Sequence, residues 1–281
     1  MNDGILYIVA TPIGHLADLS QRASEVLSMV DLIAAEDTRV SRKLLQHIGA
    51  TTPMISLHEH NEQQRTETLL LKLKAGESVA LISDAGTPLI SDPGYPLVKA
   101  VRAANIKVVP IPGPCALISA LSASGLATDK FVFEGFLPSK SSTRRAKFET
   151  LKHEHRTIIF YESPHRILAC LEDLQTVIGS EREVVVAREL TKAFETIYSG
   201  TVSETKSWVE QDNNQQRGEM VLLVAGSPKI KQEDKDHRRV LSILMGELPL
   251  KQAASLAAQI CDAKRNELYR IGLEIKGLKA K

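Results

Sequence analysis

The sequence has few cysteines, and no two of them are close together. Its three cysteines, Cys115, Cys170 and Cys261, form no Cys-x-x-Cys pair, which argues against a disulfide framework and a cysteine-based zinc site. No apolar run is long enough to span a bilayer, and Pro12 interrupts the short apolar run that follows Asp3, unlike in a signal peptide. We therefore expect a cytoplasmic protein with no membrane partner.

An excess of charge of either sign is missing as well. The 281 residues include 35 lysines and arginines against 34 aspartates and glutamates, and the formal net charge is +1. No global electrostatic field indicates a polyanionic partner, so any surface for such a partner must be a local patch. Hydrophobic residues at 43% and charged residues at 25% are ordinary for globular proteins, and the length suffices for two domains and a small appendage.

Short apolar runs alternate with longer amphipathic segments through most of the chain. The runs predict strands at residues 6–9, 32–35, 79–82, 108–111, 131–133, 157–161, 183–187, 197–198 and 220–225. Helices predicted at residues 19–29, 39–48, 61–75 and 96–103 indicate a mostly parallel α/β sheet in the first half. The later strands are closer together, which predicts a second sheet with some antiparallel pairing. A proline-rich breaker at 110–114 predicts a boundary between one α/β domain at 1–112 and another at 113–226.

The character of the sequence changes after Gly226. Residues 227–239 are dominated by lysine, aspartate, glutamate and glutamine, which predicts an exposed linker. Residues 240–281 contain apolar residues at helical spacing, first around Ala257 and then around Ile271, with a short break between them. Two short helices around a tight turn resemble a helix-turn-helix, although a small helical dimerisation or capping module has the same spacing.

The densest group of turn-forming and polar residues lies at 79–94. A buried strand ends there in Ser83-Asp84, and the same dipeptide returns as Ser91-Asp92 in a segment that also holds two glycines and two prolines. Glycine allows a backbone to approach a ligand closely, and serine, threonine and aspartate supply hydrogen-bonding groups. At the carboxyl end of a strand this composition predicts a ligand-binding loop, with an ordinary strand-to-helix turn as the alternative.

Other polar loops follow predicted strands in the first half. Residues 10–18 lack the G-x-G-x-x-G fingerprint and the Walker lysine, which argues against a nucleotide-phosphate site. Residues 35–39 place Glu36, Asp37 and Arg39 at a strand end, although Asp37 could simply cap the next helix. In the segment 57–62, His58 and His60 point to opposite faces of an extended chain. We therefore expect no metal site there, but a polar pocket wall or a solvated loop.

Three segments of the second half carry charge. Residues 160–166 begin a helix at Ser163-Pro164 and aim Arg166 from its amino terminus, a place suited to anions. Residues 187–192 are a charged run directly after a strand, either a solvated face or part of a site. Residues 137–147 have the composition of a mobile loop whose cations could contact phosphates, and a solvated helix start fits them equally well.

Taken together and in this order, these loops resemble the tetrapyrrole methylase superfamily of S-adenosylmethionine-dependent methyltransferases. The similarity covers residues 5–226 and is carried by the segments 11–14, 35–39, 58–62, 83–94, 112–114, 160–166, 188–192 and 218–220. Members that act on tetrapyrroles usually have Gly-Asp-Pro where this chain has Gly86-Thr87-Pro88, and this departure favours the branch of the family that acts on RNA. The helical tail is similar to the helix-turn-helix of that branch.

The resemblance implies a fold of two α/β domains with the methyl donor in the cleft between them, a C-terminal helix-turn-helix-like module, and a homodimer. The implied reaction is 2′-O-methylation of the ribose of a cytidine in the 16S ribosomal RNA of the small ribosomal subunit. The implied contacts of the cofactor S-adenosyl-L-methionine are Ile13, Gly14, Ser83, Asp84, Ala85, Gly86, Thr87, Ile90, Cys115, Ala116, Tyr161, Ala187, Glu219 and Met220.

In such a reaction a ribose hydroxyl attacks the methyl group, so a carboxylate or histidine that accepts its proton would help. The candidate acceptors are Glu36, Asp37, His58 and Glu59. Arg39 and Asn61 are candidates to orient the ribose and phosphate, and the first choice for the chemical step is Asp37 with Arg39. The candidate contacts of the RNA backbone are Arg144, Arg145, Lys147, Arg166, Arg188, Lys192, Lys264 and Arg265.

Two other functions fit parts of the sequence. In one, the cleft methylates a tetrapyrrole or another small molecule, and the basic segment and the helical tail are incidental. In the other, the α/β body of a regulator senses a ligand and its tail binds DNA, which the near-zero net charge and the weakly basic tail disfavour.

Overall fold

The computed structural model describes residues 4–228 and 232–276, which form two compact units that divide at Ser227. The larger unit begins with a five-stranded sheet. Its strands are β1 (Ile5–Val9), β2 (Leu32–Ala35), β3 (Met54–Ser56), β4 (Val79–Ile82) and β5 (Lys107–Ile111), in the order β3-β2-β4-β1-β5. All of these pairings are parallel, which confirms the prediction for the first half.

Helices cover both faces of this sheet, as parallel sheets generally require. They are α1 (Gln21–Met29), α2 (Thr38–Ile48), α3 (Glu62–Lys74) and α4 (Tyr95–Ala103). Apolar side chains of α3 and α4, such as Leu69 and Leu97, pack on one face, and those of α1 and α2, such as Leu27 and Leu44, pack on the other. Strands β2 and β4 are therefore buried at every position. The sequence did not predict β3, because its three half-buried residues carry no periodicity.

A second sheet forms the other half of the larger unit. Its strands are β6 (Phe131–Phe136), β7 (Thr157–Glu162), β8 (Glu183–Arg188), β9 (Thr196–Thr201) and β10 (Met220–Val224), in the order β6-β7-β10-β8-β9. Only the β6–β7 pairing is parallel. The mixed sheet predicted for this half is thus confirmed, and its helices are α5 (Ala116–Ala123), α6 (Ser141–Leu151), α7 (Ile167–Ile178) and α8 (Val202–Gln211).

The two faces of the second sheet have different roles. One face carries Phe160, Val186 and Leu222 and is covered by α6, α7 and α8. The opposite face carries Ile159 and packs against α5 and against Ile13, which belongs to the loop after β1. Because of this second contact, a loop of the first sheet lies directly on a face of the second sheet.

Of the two interpretations of the basic segment 137–147, a mobile loop and a helix start, the structure confirms the helix start, since α6 begins at Ser141. Arg144 and Arg145 both bind Asp173 of α7, at 2.7 and 2.6 Å. Arg144 also donates to the carbonyl oxygens of Pro138 and Ser139, both at 3.3 Å. These two arginines, which we predicted to contact phosphates, attach the helix to its neighbour.

The smaller unit consists of three helices, α9 (Gln232–Glu247), α10 (Leu250–Ile260) and α11 (Arg265–Ile275), around a core that includes Leu241, Ala257 and Ile271. Helix α9 begins inside the stretch 227–239 that we predicted to be a linker, which corrects that boundary. The error has a simple cause: glutamine, glutamate and lysine indicate exposure to water but are also good helix formers. Residues 229–231 of the predicted linker and 277–281 of the predicted module lie outside the described residues. Within the described ranges, no helix combines the length and the apolar character needed to cross a membrane.

Candidate functional site

A cavity of about 480 Å³ lies between the two sheets of the larger unit, within the range of roughly 300–1,000 Å³ usual for small-molecule sites. It lies at the carboxyl ends of β2 and β4, where ligands of open α/β sheets bind. Its described lining residues are Ile13, Glu36, Asp84, Ala85, Gly86, Thr87, Ile90, Ser91, Asp92, Cys115, Ala116, Phe136, Tyr161, Glu162, Ser163, Pro164, Ala187, Leu190, Glu219, Met220 and Val221.

Hydrogen bonds between three loops hold one wall of the cavity in place. The loop after β1 and the loop after β4 form an isolated antiparallel bridge, in which Thr11 N donates to Gly86 O at 2.8 Å and Gly86 N donates to Thr11 O at 3.1 Å. The hydroxyl of Thr87 donates to Pro114 O at 2.9 Å and ties in the loop after β5. Gly86 has φ +84°, a conformation that β-branched residues strongly avoid.

The same loop contains residues other than glycine in the left-handed region. Leu89 has φ +75° and Ser91 has φ +68°. Such residues are uncommon in folded proteins and tend to occur at ligand-binding sites, where the surrounding structure holds them. The loop from Ser83 to Gly94 is thus a conformationally constrained wall rather than an ordinary strand-to-helix turn.

Three carboxyl groups of the lining, those of Glu36, Asp84 and Asp92, meet at one end of the cavity. Asp84 N donates to Glu36 Oε2 at 3.3 Å, and Asp37 N donates to Asp84 Oδ1 at 3.0 Å, so the ends of β2 and β4 are cross-linked. Burial raises the pKa of Glu36, and the nearby carboxylates of Asp84 and Glu59 raise it further. Burial also raises the pKa of Asp92 to about 6, although a hydrogen bond from Ser83 opposes the shift.

The charge of the lining is one-sided. Five acidic residues line the cavity, and the described lining contains no lysine, arginine or histidine. Glu162 pairs with Arg166 and Glu219 pairs with Lys192, whereas Glu36, Asp84 and Asp92 have no ion pair among the described residues. A polyphosphate would meet repulsion here and find no side-chain cation. A cationic ligand would instead be attracted, and its charge would relieve the cost of keeping carboxylates half-buried.

The predicted cofactor residues are brought together by the fold, with two exceptions among the fourteen. Gly14 and Ser83 do not line the cavity. Gly14 is needed for close packing, because a Cβ there would come within 2.6 Å of both Lys192 and Thr191. Ser83 is buried beneath the loop, where its hydroxyl donates to Ala85 O at 3.4 Å. Both residues lie behind the cavity wall and stabilise it, but they do not form part of the cavity surface.

Of the six predicted catalytic residues, only Glu36 lines the cavity. Asp37 caps helix α2 by accepting from Arg39 N at 2.8 Å, and it also pairs with the Arg39 guanidinium at 2.6 Å. This pairing lowers the pKa of Asp37 to about 2, which makes its carboxylate a weak base. The structure therefore favours the capping alternative for Asp37, while the side chain of Arg39 is 87% exposed.

His58, Glu59 and Asn61 lie in the turn between β3 and α3. Asn61 Oδ1 accepts from His58 N at 2.9 Å, and Asn61 Nδ2 donates to Ser56 O at 3.3 Å. Glu59 is exposed. His58 and Asn61 thus stabilise the turn that begins α3, and none of the three lines the cavity.

The predicted RNA contacts fall into two groups. Arg144 is 2% exposed and Arg188 is 7% exposed, so neither is available to a phosphate, and both predictions are corrected. Their guanidinium groups bind protein partners, and Arg188 donates to Arg217 O at 3.2 Å. The other basic residues retain exposed surface, although Arg166 pairs with Glu162 and Lys192 pairs with Glu189. The predicted contacts with exposed surface are Arg145, Lys147, Arg166, Lys192, Lys264 and Arg265.

Some lining residues were not among the predicted site residues. The repeated Ser-Asp dipeptide could have identified Asp92, since Ser91 and Asp92 follow the same turn chemistry as Ser83 and Asp84. No comparable pattern marks Phe136, whose direction depends on an irregularity in strand pairing. The unpredicted lining residues are Ser91, Asp92, Phe136, Glu162, Ser163, Pro164, Leu190 and Val221.

Comparisons with known proteins identify the family. A family model described as Tetrapyrrole (Corrin/Porphyrin) Methylases matches residues 5–206, and one described as RsmI C-terminal HTH domain matches residues 231–276. Proteins named ribosomal RNA small subunit methyltransferase I are similar over nearly the whole chain. The one from Escherichia coli O157:H7 is 57% identical over 98% of this chain and 97% of its own length. The one from Haemophilus influenzae is 55% identical over 96% of each.

The chain belongs to the ribosomal RNA small subunit methyltransferase I family. This confirms the predicted family and its RNA branch. The match to the helix-turn-helix model also decides between the two interpretations of the helical tail.

Solved structures confirm the fold of the larger unit. The uroporphyrin-III C-methyltransferase of Thermus thermophilus aligns with a TM-score of 0.53 at 19% identity, over 79% of this chain and 94% of that one. A cobalt precorrin-4 methyltransferase aligns with a TM-score of 0.58 at 16% identity, over the same shares. At these identities the likeness shows the shared fold of the tetrapyrrole methylases.

The half-buried acid Asp92 predicts an unusual pH dependence of stability. Its pKa in the folded state lies above the unfolded value of about 4, so this group lowers stability as pH rises from about 4 to about 6, and the loss is complete above that range. Asp92→Asn keeps a hydrogen-bond acceptor for Ser83 and should stabilise the protein by roughly 1 kcal/mol at pH 7.5, after allowance for solvent screening. Urea unfolding at pH 7.5 and pH 4 measures the gain, which should vanish at pH 4.

Asp37→Asn is the matched control for this substitution. The pKa of Asp37 is lowered by Arg39, so losing its charge should decrease stability at pH 7.5 instead. Equal stability of Asp92→Asn and the unsubstituted protein at pH 7.5 would show that Asp92 is not a destabilising charge in the fold.

Proposed function

We propose that the protein transfers a methyl group from S-adenosyl-L-methionine to the 2′-hydroxyl of a cytidine in 16S ribosomal RNA, within the small ribosomal subunit. The cavity carries this proposal, because Glu36, Asp84 and Asp92 line it without an ion pair among the described residues and thus fit a sulfonium and an ammonium group. The names of the relatives at more than 50% identity support the RNA substrate. The family resemblance further supports a homodimer that acts in the cytoplasm.

The residues of the cavity fit the donor in chemistry as well as in charge. Ala85 and Ala116 offer backbone for polar groups, and Ile13 and Met220 offer apolar surface for an adenine ring. When bound, S-adenosyl-L-methionine supplies an electrophilic methyl group, and the departing sulfur needs no proton. The protein therefore has two tasks, to position the ribose and to take the proton from its hydroxyl.

Glu36 is the proton acceptor in this proposal. It is the only one of the initial carboxylate and histidine candidates that lines the cavity, and burial gives it a raised pKa and thus a stronger base than an exposed glutamate. Asp37 pairs with Arg39 instead. The charge of this exposed arginine acts on Asp84 of the cavity lining, which supports a contact with the phosphate next to the acceptor ribose.

The two methyl acceptors that we considered, RNA and a tetrapyrrole, are distinguished by a transfer experiment. The test compares transfer of labelled methyl groups from the donor to small ribosomal subunits that lack the modification with transfer to a panel of tetrapyrroles. Label in the ribose of a 16S cytidine supports the proposal, and label in a tetrapyrrole alone refutes it.

Gly86→Val should prevent donor binding. The substitution forces a β-branched residue into a positive-φ conformation and places its Cβ 3.3 Å from Ile13 Cγ2, so the wall of the cavity must shift. We expect calorimetry to show donor affinity reduced at least about tenfold, which corresponds to ~1.4 kcal/mol. Gly49→Val is the matched control, because Gly49 has φ +70° at the end of α2 but no atom within 4 Å of its Cβ position. Unchanged donor affinity in folded Gly86→Val would place the donor elsewhere.

Glu36→Gln and Asp37→Asn should separate catalysis from capping. Loss of a general base costs roughly 10²–10⁴-fold in rate, so Glu36→Gln should lower the single-turnover methylation rate by this factor at saturating donor and RNA. The rate of the unsubstituted protein should fall in acid as Glu36 is protonated, at a higher pH than for an ordinary glutamate. Asp37→Asn should keep most of the rate, because asparagine also caps helices well. The opposite ranking of the two variants would restore Asp37 as the base.

Exposed basic residues should contribute phosphate contacts that do not depend on sequence. Arg145, Lys147, Lys264 and Arg265 retain exposed surface, and each lost contact should reduce the slope of log affinity against log salt by about 0.7–0.9. Glutamine substitution of each, followed by titration of small subunits at several salt concentrations, measures this change. Lys72→Gln is the control, since Lys72 pairs with Glu77 before the start of β4, at the edge of the sheet opposite the cavity. An unaltered slope in all four variants would show that these residues do not touch RNA.

A further inference from the structure

One aromatic side chain of the cavity is exposed. Phe136 is 59% exposed, although it lines the same cavity as the buried apolar residues Ile13, Ala187 and Met220. Single exposed apolar residues are common on protein surfaces and need no explanation there. An exposed phenyl ring at the wall of a ligand cavity is different, because it offers a flat apolar face to whatever enters.

A β-bulge directs Phe136 into the cavity. Between the paired positions Phe133↔Ile159 and Phe136↔Tyr161, strand β6 advances three residues while β7 advances two. In a regular strand Phe133 and Phe136 would lie on opposite faces, because side chains alternate. The extra residue places both phenylalanines on the face of Tyr161, whose ring lies 4.9 Å from that of Phe133 and 5.5 Å from that of Phe136. Bulges often redirect side chains beside active sites in this way.

Gly135 makes this bulge possible. It has φ +66°, a conformation that glycine adopts without strain. The position of its missing Cβ is 3.5 Å from Ser91 Oγ, so the bulge lies against the loop that carries Asp92. Phe136 is therefore held by backbone geometry next to the acidic end of the cavity.

Strand pairing also gives Phe136 a place along the cavity floor. Phe136 on β6 pairs with Tyr161 on β7, Tyr161 with Val221 on β10, and Val221 with Ala187 on β8, and all four line the cavity. Neighbouring strands are about 4.8 Å apart, so this row extends for roughly 14 Å. Such a floor has room for two flat groups, one at the Ala187 end and one at the Phe136 end.

We propose that Phe136 is the stacking platform for the base of the nucleotide whose ribose is methylated, while the adenine of the donor occupies the opposite end of the row. The inference rests on the proposed function. Proteins commonly hold unpaired RNA bases by stacking them on aromatic side chains. A base on Phe136 would bring its ribose towards the carboxylates at the ends of β2 and β4.

The surroundings of Phe136 fit a nucleic acid strand. The exposed Lys140 follows four residues after Phe136, in the segment that joins β6 to α6. Helix α6 itself packs on the opposite face of the sheet, where Arg145 binds Asp173. Lys140 is thus the cation next to Phe136 along the chain. An aromatic platform next to cations is the usual combination in single-strand binding, where the ring stacks a base and the cations contact phosphates.

The test uses the whole protein with Phe136 replaced by Ala, Leu, Tyr or Trp. Removal of a stacking ring should lower kcat/KM for small ribosomal subunits by roughly 5- to 150-fold in Phe136→Ala. Phe136→Leu should remain defective, and Phe136→Tyr and Phe136→Trp should restore most of the rate, because stacking needs a flat ring rather than apolar volume. Donor affinity measured by calorimetry should stay within about twofold of the unsubstituted value, well below the tenfold change that ~1.4 kcal/mol produces.

Phe131→Ala is the matched control, since Phe131 is 38% exposed at the start of the same strand but does not line the cavity. A comparable loss of donor affinity in Phe136→Ala would assign the ring to the donor and overturn the inference. Full activity of Phe136→Ala towards RNA would overturn the inference and leave the proposed function intact. No methyl transfer to RNA by the unsubstituted protein would refute both, and this outcome is visible before any variant is made.

Discussion

The site depends on the short bridge between Thr11 and Gly86. These two backbone hydrogen bonds join loops from neighbouring parallel strands and set the position of the wall between Ser83 and Asp92. The same loop after β1 continues to Ile13, which packs on the face of the second sheet. One contact between loops therefore couples the first sheet, the cavity wall and the second sheet. Gly86 can take part because it adopts a positive φ that most residues avoid.

The cavity illustrates a conflict between stability and binding. Burial raises the pKa of Glu36 and Asp92, and the neighbouring carboxylates raise it further, so these groups weaken the fold at neutral pH. Apolar residues in their place would stabilise the protein but would not attract a cationic ligand. Because these charges lower the stability of the ligand-free protein, the acidic end of the cavity is best explained by binding of a ligand, as in the proposed function.

Glu36 and Asp37 show how neighbouring carboxylates acquire different properties. Asp37 accepts hydrogen bonds from the start of α2 and from Arg39, and its pKa falls to about 2. Glu36 is half-buried, with Asp84 and Glu59 nearby, and its pKa rises. The change of surroundings occurs within one residue because Asp37 is where the strand ends and the helix cap begins. The carboxylate of Asp37, which caps a helix and pairs with arginine, thus has a structural role. The half-buried carboxylate of Glu36 beside it is the stronger base.

Much of the fold was already determined by local patterns in the sequence. Apolar runs at 32–35 and 79–82 and the amphipathic segments between them predicted a parallel sheet, because a strand covered on both faces must be apolar at every position. The order of the loops identified the family, and the composition of residues 83–90 identified a wall of the cavity. These features are local, so no knowledge of distant contacts was needed to find them.

Other features were decided only by the tertiary structure. Arg144 lies in a segment whose composition predicts exposed phosphate contacts. Its side chain is nevertheless buried, where it pairs with Asp173 of another helix. Phe136 would lie on the opposite face of β6 without an extra residue in its pairing with β7. Helix α9 begins within a segment whose polar composition indicated only exposure. For Arg144 and Phe136 the outcome depends on a partner or a register that lies outside the local segment, because burial and strand pairing are properties of two segments and not of one.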